Sequence, residues 1–243
     1  MNYLLLVLSL AASLCWTQAS AKEPDPQDPQ SSTERIPYAV RHVLEGNAKF
    51  AAGRTAAYFE PFTQKQTPLA TVVSCSDSRV QIHALDQTPD NDVFVIRNIG
   101  NQLATAEGSV EYGVRHLHTP LLLFIGHSAC GAVTAAVGDY SQESAAIRRE
   151  LDTLKVQKGG QVPEEIIANV NDQVAAALAK FAPEVKAGSL AIFGTLYDFR
   201  DDYGHGQGKL IVVNINGETD PLKIAASPYL APVNNAEIYL PRP

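Results

Sequence analysis

The chain has 243 residues, 45% of them hydrophobic, enough for one large domain with a substantial buried core. Its formal charge is -7, with Lys and Arg scattered rather than clustered. It therefore lacks the basic patch that a phosphate backbone requires, and nucleic acid is not an expected partner.

Residues 1–21 contain no Lys, Arg, Asp or Glu, and the apolar run "YLLLVLSLAASLCW" is followed by Ala19-Ser20-Ala21. This pattern reads as an export signal with a small-residue cleavage site. The run is shorter than the roughly 20 residues a spanning helix needs, so cleavage is favoured over an uncleaved anchor. Bulky Leu14 ahead of Cys15 argues against lipid attachment. The expected location is the periplasm, with secretion the second choice, and no membrane association after signal cleavage. Residues 22–35, "KEPDPQDPQSSTER", hold three prolines and almost no apolar side chain. They cannot offset their ordering entropy by burial and read as a flexible linker. Residues 36–243 are expected to form a single catalytic domain.

From Ile36 the pattern changes: Val40, Val43, Leu44 and Phe50 recur at helical spacing after Pro37, which suits a first turn, and an amphipathic helix is expected to about Ala52. Short apolar runs then alternate with helical patterns. "LATVVS" (69–74), "VFVIR" (93–97) and "PLLLFIG" (120–126) read as strands. "LATAEGSVEYGVRHL" (103–117), with its stripe of Leu103, Val110, Val114 and Leu117, reads as one helix, and "GAVTAAV" as another. Residues 142–155 and 164–182 are further helical stretches. "LAIFGTLYDF" (190–199) and "KLIVVNI" (209–215) read as strands joined by a long turn, "RDDYGHGQGK". That turn is no phosphate-binding loop, because Leu210 stands where Ser or Thr is needed and no helix follows. Strands that are apolar throughout and alternate with helices imply an α/β fold. The expectation is a central, mostly parallel β-sheet flanked by helices, with an antiparallel edge strand.

Signal cleavage would leave two cysteines, Cys75 and Cys130, in a compartment where thiols oxidise, so a disulfide between them is one reading. Their positions supply another. Cys75 follows the run 69–74, and "GHSACG" (126–131) follows the run 120–126, so both stand at carboxyl ends of predicted strands, the edge where open α/β sheets bind ligands. His127 and Cys130 have two residues between them across one turn, and Cys75 adds a third donor from a neighbouring strand. Two thiolates and an imidazole are a zinc-type ligand set, and three protein ligands leave a fourth tetrahedral position open, as catalysis requires. Asp77, two residues from Cys75, could ligate the metal or bond a water upon it, and Arg79 can clamp its carboxylate in a bidentate pair. With the clamp engaged the fourth position stays open; with it broken, Asp77 could close it.

"CSDSRV", followed 52 residues later by "HSACG", with "RNIGN" and "EYGVRHL" between them, resembles the β-class carbonic anhydrases over roughly residues 36–215. Their pattern is Cys-x-Asp-x-Arg, then His-x-x-Cys. The resemblance implies that Cys75, His127 and Cys130 hold Zn2+ and that Asp77 with Arg79 forms the catalytic dyad that orients water on it. It implies reversible hydration of carbon dioxide to bicarbonate by zinc-bound hydroxide. It places Gln66, Phe94, Ile99 and Tyr112 along a narrow substrate cleft, part of which comes from a second subunit, so a homodimer or dimer of dimers is expected. Two thiolates on the metal imply an alkaline-shifted rate profile. The allosteric subgroup carries Trp three residues before the first cysteine; Val72 stands there, so regulation by bicarbonate is not expected. Gly100 replaces a frequent Ala, and the hairpin at 200–209 is longer than usual. No histidine is assigned as proton shuttle: His83 and His205 are the nearest candidates, and solvated surface is the preferred reading of each. Hydrolysis of carbon disulfide on the same site, or a non-catalytic zinc domain with Asp77 closing the shell, are the rival readings.

Overall fold

The structure is a computed structural model and describes residues 32–240. The export signal, and residues 22–31 of the predicted linker, lie outside the described residues. The described residues divide into two compact units, one up to Pro61 and the other from Phe62.

In the first unit, helix α1 spans Ser32–Ala52 and a short α2 spans Ala56–Phe59. Helix α1 begins four residues ahead of the expected Ile36, inside the stretch read as linker, so Pro37 lies within the helix rather than in its first turn. Proline withholds only one backbone donor, and Glu34 sits in the first turn, where the helix dipole favours a negative charge. The predicted stripe is real but uncovered: Ile36, Val40, Val43 and Leu44 are all exposed.

The second unit is built on six strands: β1 (Ala70–Cys75), β2 (Val93–Asn98), β3 (Leu121–His127), β4 (Ala191–Asp198), β5 (Lys209–Ile215) and β6 (Glu237–Ile238). Their order is β2-β1-β3-β4-β5-β6. The first four strands run parallel to their neighbours, β4 and β5 pair antiparallel, and β5 and β6 pair parallel. The five predicted strands are present to within a residue or so. The antiparallel strand β5 is penultimate rather than outermost, because the two residues of β6 close that side. Every residue of β1 is buried, as expected of a parallel strand covered on both faces.

Helix α6 (Val162–Lys180) lies against β3 and β4. Two glycines permit this approach: a Cβ on Gly126 or on Gly194 would stand 2.6 Å from a methyl of Val170. The stretch read as one helix over 103–117 is shorter and irregular. It comprises α3 (Glu107–Glu111) continued by one π turn, Tyr112–His116. Residues 99–106 instead form a loop fixed by side chains. Asn98 bonds Gln102 and Thr105, and the buried Gln173 of α6 accepts the Leu103 N–H at 2.8 Å. Such side-chain bonds offer the backbone an alternative to helix. Helices α4 (Gly131–Val137), α5 (Ala145–Leu151), α7 (Ala182–Lys186) and α8 (Pro221–Ala225) complete the unit. Among the described residues no helix is long and apolar enough to cross a membrane.

The chain steps from β1 outward to β2 and then back across β1 to β3. The direction of winding therefore reverses between β1 and β3, and the carboxyl ends of those two strands frame the crevice where such sheets receive ligands.

Candidate metal centre and cleft

Cys75 is the last residue of β1, His127 the last of β3, and Cys130 stands immediately before α4. The topological reversal thus brings all three to one point. They are 4%, 0% and 1% exposed, and their ligand atoms all lie within 4.8 Å of one another. Among the described residues both cysteines are free thiols, with no disulfide between them. The His127 ring is oriented by its own turn: Nδ1 lies 3.0 Å from the Ser128 carbonyl. Donation there leaves Nε2 as the lone-pair nitrogen. Nε2 is buried and, among the described residues, has no hydrogen-bond partner. A buried acceptor without a partner is costly, and a metal ion would satisfy it. Two sulfurs and one imidazole match zinc's preferences.

The thiols are electrostatically unequal. A hydrogen bond from Cys130 is the chief cause lowering the Cys75 pKa, against the opposing effect of burial; the backbone amides of Gly100 and Asp77 assist. The same bond, with burial and the neighbouring charge, pushes Cys130 up, although the amides of Val133 and Ala132 at the start of α4 favour its thiolate. A divalent cation would favour the thiolate form of both.

Asp77 and Arg79 follow Cys75 on the loop after β1. Arg79 Nε donates to Asp77 Oδ1 at 2.9 Å and Nη2 to Oδ2 at 2.6 Å, the bidentate clamp expected from the spacing. This bond is the main cause holding the Asp77 carboxyl at about 2. Asp77 Oδ2 stands 4.0 Å from His127 Nε2, so an ionised carboxylate faces the ligand cluster. Arg79 Nη2 also donates to the Ala129 carbonyl at 3.1 Å. Ala129 has a φ of 54°, the left-handed conformation that folds the short segment between His127 and Cys130.

A cleft of about 400 Å³ opens beside the cluster. Cys75 and Asp77 line it, opposite an apolar wall that includes Ile99, Ala132, Ala135, Ile147 and Leu151, with Glu143 also on the lining. Ile99 is thus on the cleft lining. The other three expected cleft residues are elsewhere in the same chain. Phe94 on β2 and Tyr112 on the π turn pair their rings at 5.8 Å, and Tyr112 stacks on His116. Gln66 is exposed. His83 is exposed, and His205 bonds Glu237 at 3.1 Å.

Two supports escaped the sequence reading. Arg97 on β2 donates to the carbonyls of Cys75 (3.1 Å) and Asp77 (2.8 Å), bracing the loop that carries ligand and clamp. A lone arginine ending an apolar strand was the available signal. Phe199, just beyond β4, lies under the Arg79 guanidinium, with Cζ 4.7 Å from the ring centroid. Nothing local in the sequence marks it.

The family profile described as carbonic anhydrase matches residues 70–205. A carbonic anhydrase of Mycolicibacterium smegmatis is 33% identical over 183 residues, covering 67% of this chain and 89% of that protein. Among solved structures, a Coccomyxa β-carbonic anhydrase in complex with acetazolamide superposes with a TM-score of 0.60 at 24% identity, covering 76% of this chain and 90% of that one. One of two tetrameric β-carbonic anhydrases from Sordaria macrospora does so with a TM-score of 0.60 at 21% identity, covering 74% and 98%.

Proposed function

The chain belongs to the carbonic anhydrase family, in its β class, and from that membership we propose that it hydrates carbon dioxide reversibly at a zinc ion held by Cys75, His127 and Cys130. The observation that carries this reading is the buried, unpartnered His127 Nε2 directed among two cysteine sulfurs. Zinc, when bound, supplies the Lewis acidity that brings the ionisation of water near neutrality, behaviour best known from carbonic anhydrases with three-histidine sites.

The remaining roles belong to the chain. Carbon dioxide is small, apolar and uncharged, and the wall of Ile99, Ala132, Ala135 and Leu151 offers it a dry face beside the cluster. Asp77, ionised at working pH because Arg79 holds its pKa down, accepts a hydrogen bond at the oxygen nearest His127 and so orients the attacking group. The engaged clamp favours this over the non-catalytic reading, in which Asp77 would have to leave Arg79.

Gln66, Phe94 and Tyr112 are proposed to complete the cleft of a second copy of the chain, with Gln66 donating to the developing carboxylate. The exposed stripe of α1 and the exposed Val95 on edge strand β2 support at least a homodimer, and the Sordaria relatives are tetrameric. Export to the periplasm is part of the same proposal and rests on residues 1–21. The test is carbon dioxide hydration by purified protein before and after zinc is stripped. Loss and recovery of activity support the reading, and full activity without metal would overturn it.

A further inference from the structure

Phe199 stands outside the sequence motif, yet it touches both halves of the site. Strand β4 ends at the fully buried Asp198, whose carboxylate accepts the backbone N–H groups of Arg200, Asp202 and Tyr203 at 3.2, 3.1 and 2.9 Å. The chain therefore turns sharply there. The backbone N–H of Phe199 donates to Ser128 Oγ at 3.2 Å, and the Ser128 carbonyl is the group that orients His127. One residue thus ties the end of β4 to the loop bearing two of the three ligands. The Phe199 ring lies 6.0 Å from the His127 ring, inclined by 25°, and beneath Arg79.

The arginine gains something from this ring that its hydrogen bonds cannot give. A guanidinium is planar, and its donors point outward in that plane. The bonds to Asp77 and Ala129 therefore resist sliding within the plane but only weakly resist tilting out of it. The Arg79 side chain is 50% exposed, so solvent offers little resistance either. An aromatic face at 4.7 Å opposes tilting directly, by stacking and by attraction between the cation and the ring quadrupole.

We propose that Phe199 is a positioning residue that holds the Arg79 guanidinium flat against Asp77, so that the carboxylate stays aimed at the ligand cluster rather than swinging onto it. The proposal rests on the carbonic anhydrase reading for its kinetic consequence but not for its structural one.

The experiment compares zinc-loaded wild type with Phe199→Leu, which keeps bulk and apolarity but removes the aromatic face, and with Phe199→Tyr, which keeps the face. The first readout is hydrogen exchange of the Arg79 Nε–H by ¹⁵N NMR, assigned through Arg79→Lys. The second is kcat and KM for hydration. Phe199→Leu is expected to retain zinc, to exchange the Nε–H several-fold faster and to lose about three- to tenfold in kcat with KM nearly unchanged, in line with the strength of a partly exposed cation–aromatic contact. Phe199→Tyr is expected to restore both. The proposal is overturned if folded, zinc-loaded Phe199→Leu matches wild type in exchange and kcat, or if Phe199→Tyr is equally impaired. Should Phe199→Leu misfold, Phe199→Met carries the same test. If wild type itself shows no hydration, the functional reading fails, while the exchange comparison still decides the role of the ring.

Discussion

Arg79 meets Asp77 edge to edge, two donors on two acceptors at 2.9 and 2.6 Å, while the nearer carboxylate oxygen stands 4.0 Å from His127 Nε2. One carboxylate thus faces a fixed cation on one side and the ligand cluster on the other. Arg79→Ala should lower kcat by roughly 10- to 100-fold, the scale of losing a charge-assisted pair. In the metal-free protein the same variant should raise the Asp77 pKa from about 2 toward the ordinary carboxylate range. The sign follows from linkage. A carboxyl whose folded pKa is depressed adds stability above its unfolded pKa and loses it as pH falls toward the folded one. Arg79→Ala should therefore unfold at a higher pH in acid titration. Carboxyl ¹³C shifts check the pKa; an unchanged value would refute the clamp.

Much of this site is legible in sequence because it is local. Cys75, Asp77 and Arg79 lie within five residues, His127 and Cys130 within four, and each group follows an apolar run that ends as a strand. Strands β1 and β3 are legible as well, since parallel strands covered on both faces are continuously apolar. Arg97, Ser128 and Phe199 act across the sheet, and no spacing rule links residue 79 to residue 199. The helical pattern read over 103–117 fails at its start, where residues 103–106 are held in a loop by Asn98 and by Gln173, whose position depends on α6. Helix α8 and the two residues of β6 are too short to carry a period.

Tyr203 predicts behaviour in alkali. Its phenol is 6% exposed and donates to the Pro163 carbonyl at 3.2 Å. Burial, then the charges of Asp198 and Asp202, push its pKa well above the usual phenol value. A group whose folded pKa is raised contributes stability that is complete below its unfolded pKa, about 10, and declines above it. Tyr203→Phe should cost about 1 kcal/mol at pH 8 and flatten the loss of stability between about pH 10 and 11.5. Urea midpoints across that window test it; an unaltered slope would count against the buried phenol as its source.

Gly126 and Gly194 admit Val170 of α6 to the sheet. Gly126→Ala should destabilise the fold by about 1–3 kcal/mol, the usual cost of overpacking. Pairing it with Val170→Ala should recover part of the loss, because the two sites share one space. Thermal melts of the single and double variants check this; strict additivity would contradict the packing argument.

The proposed sharing of Gln66, Phe94 and Tyr112 between copies ties activity to assembly. Val95→Lys, on the exposed side of edge strand β2, should shift sedimentation toward monomer and lower hydration at least about tenfold, as a buried lysine opposes association. A monomeric wild type with full activity would remove the shared-cleft reading.

The most direct measurement is zinc content and hydration rate on the same preparation, for wild type and for Cys130→Ser. One zinc per chain is expected in the wild type, with activity lost on chelation and regained on re-addition, and little metal or activity in the variant. Metal-free protein that hydrates carbon dioxide as fast as the untreated sample would contradict this.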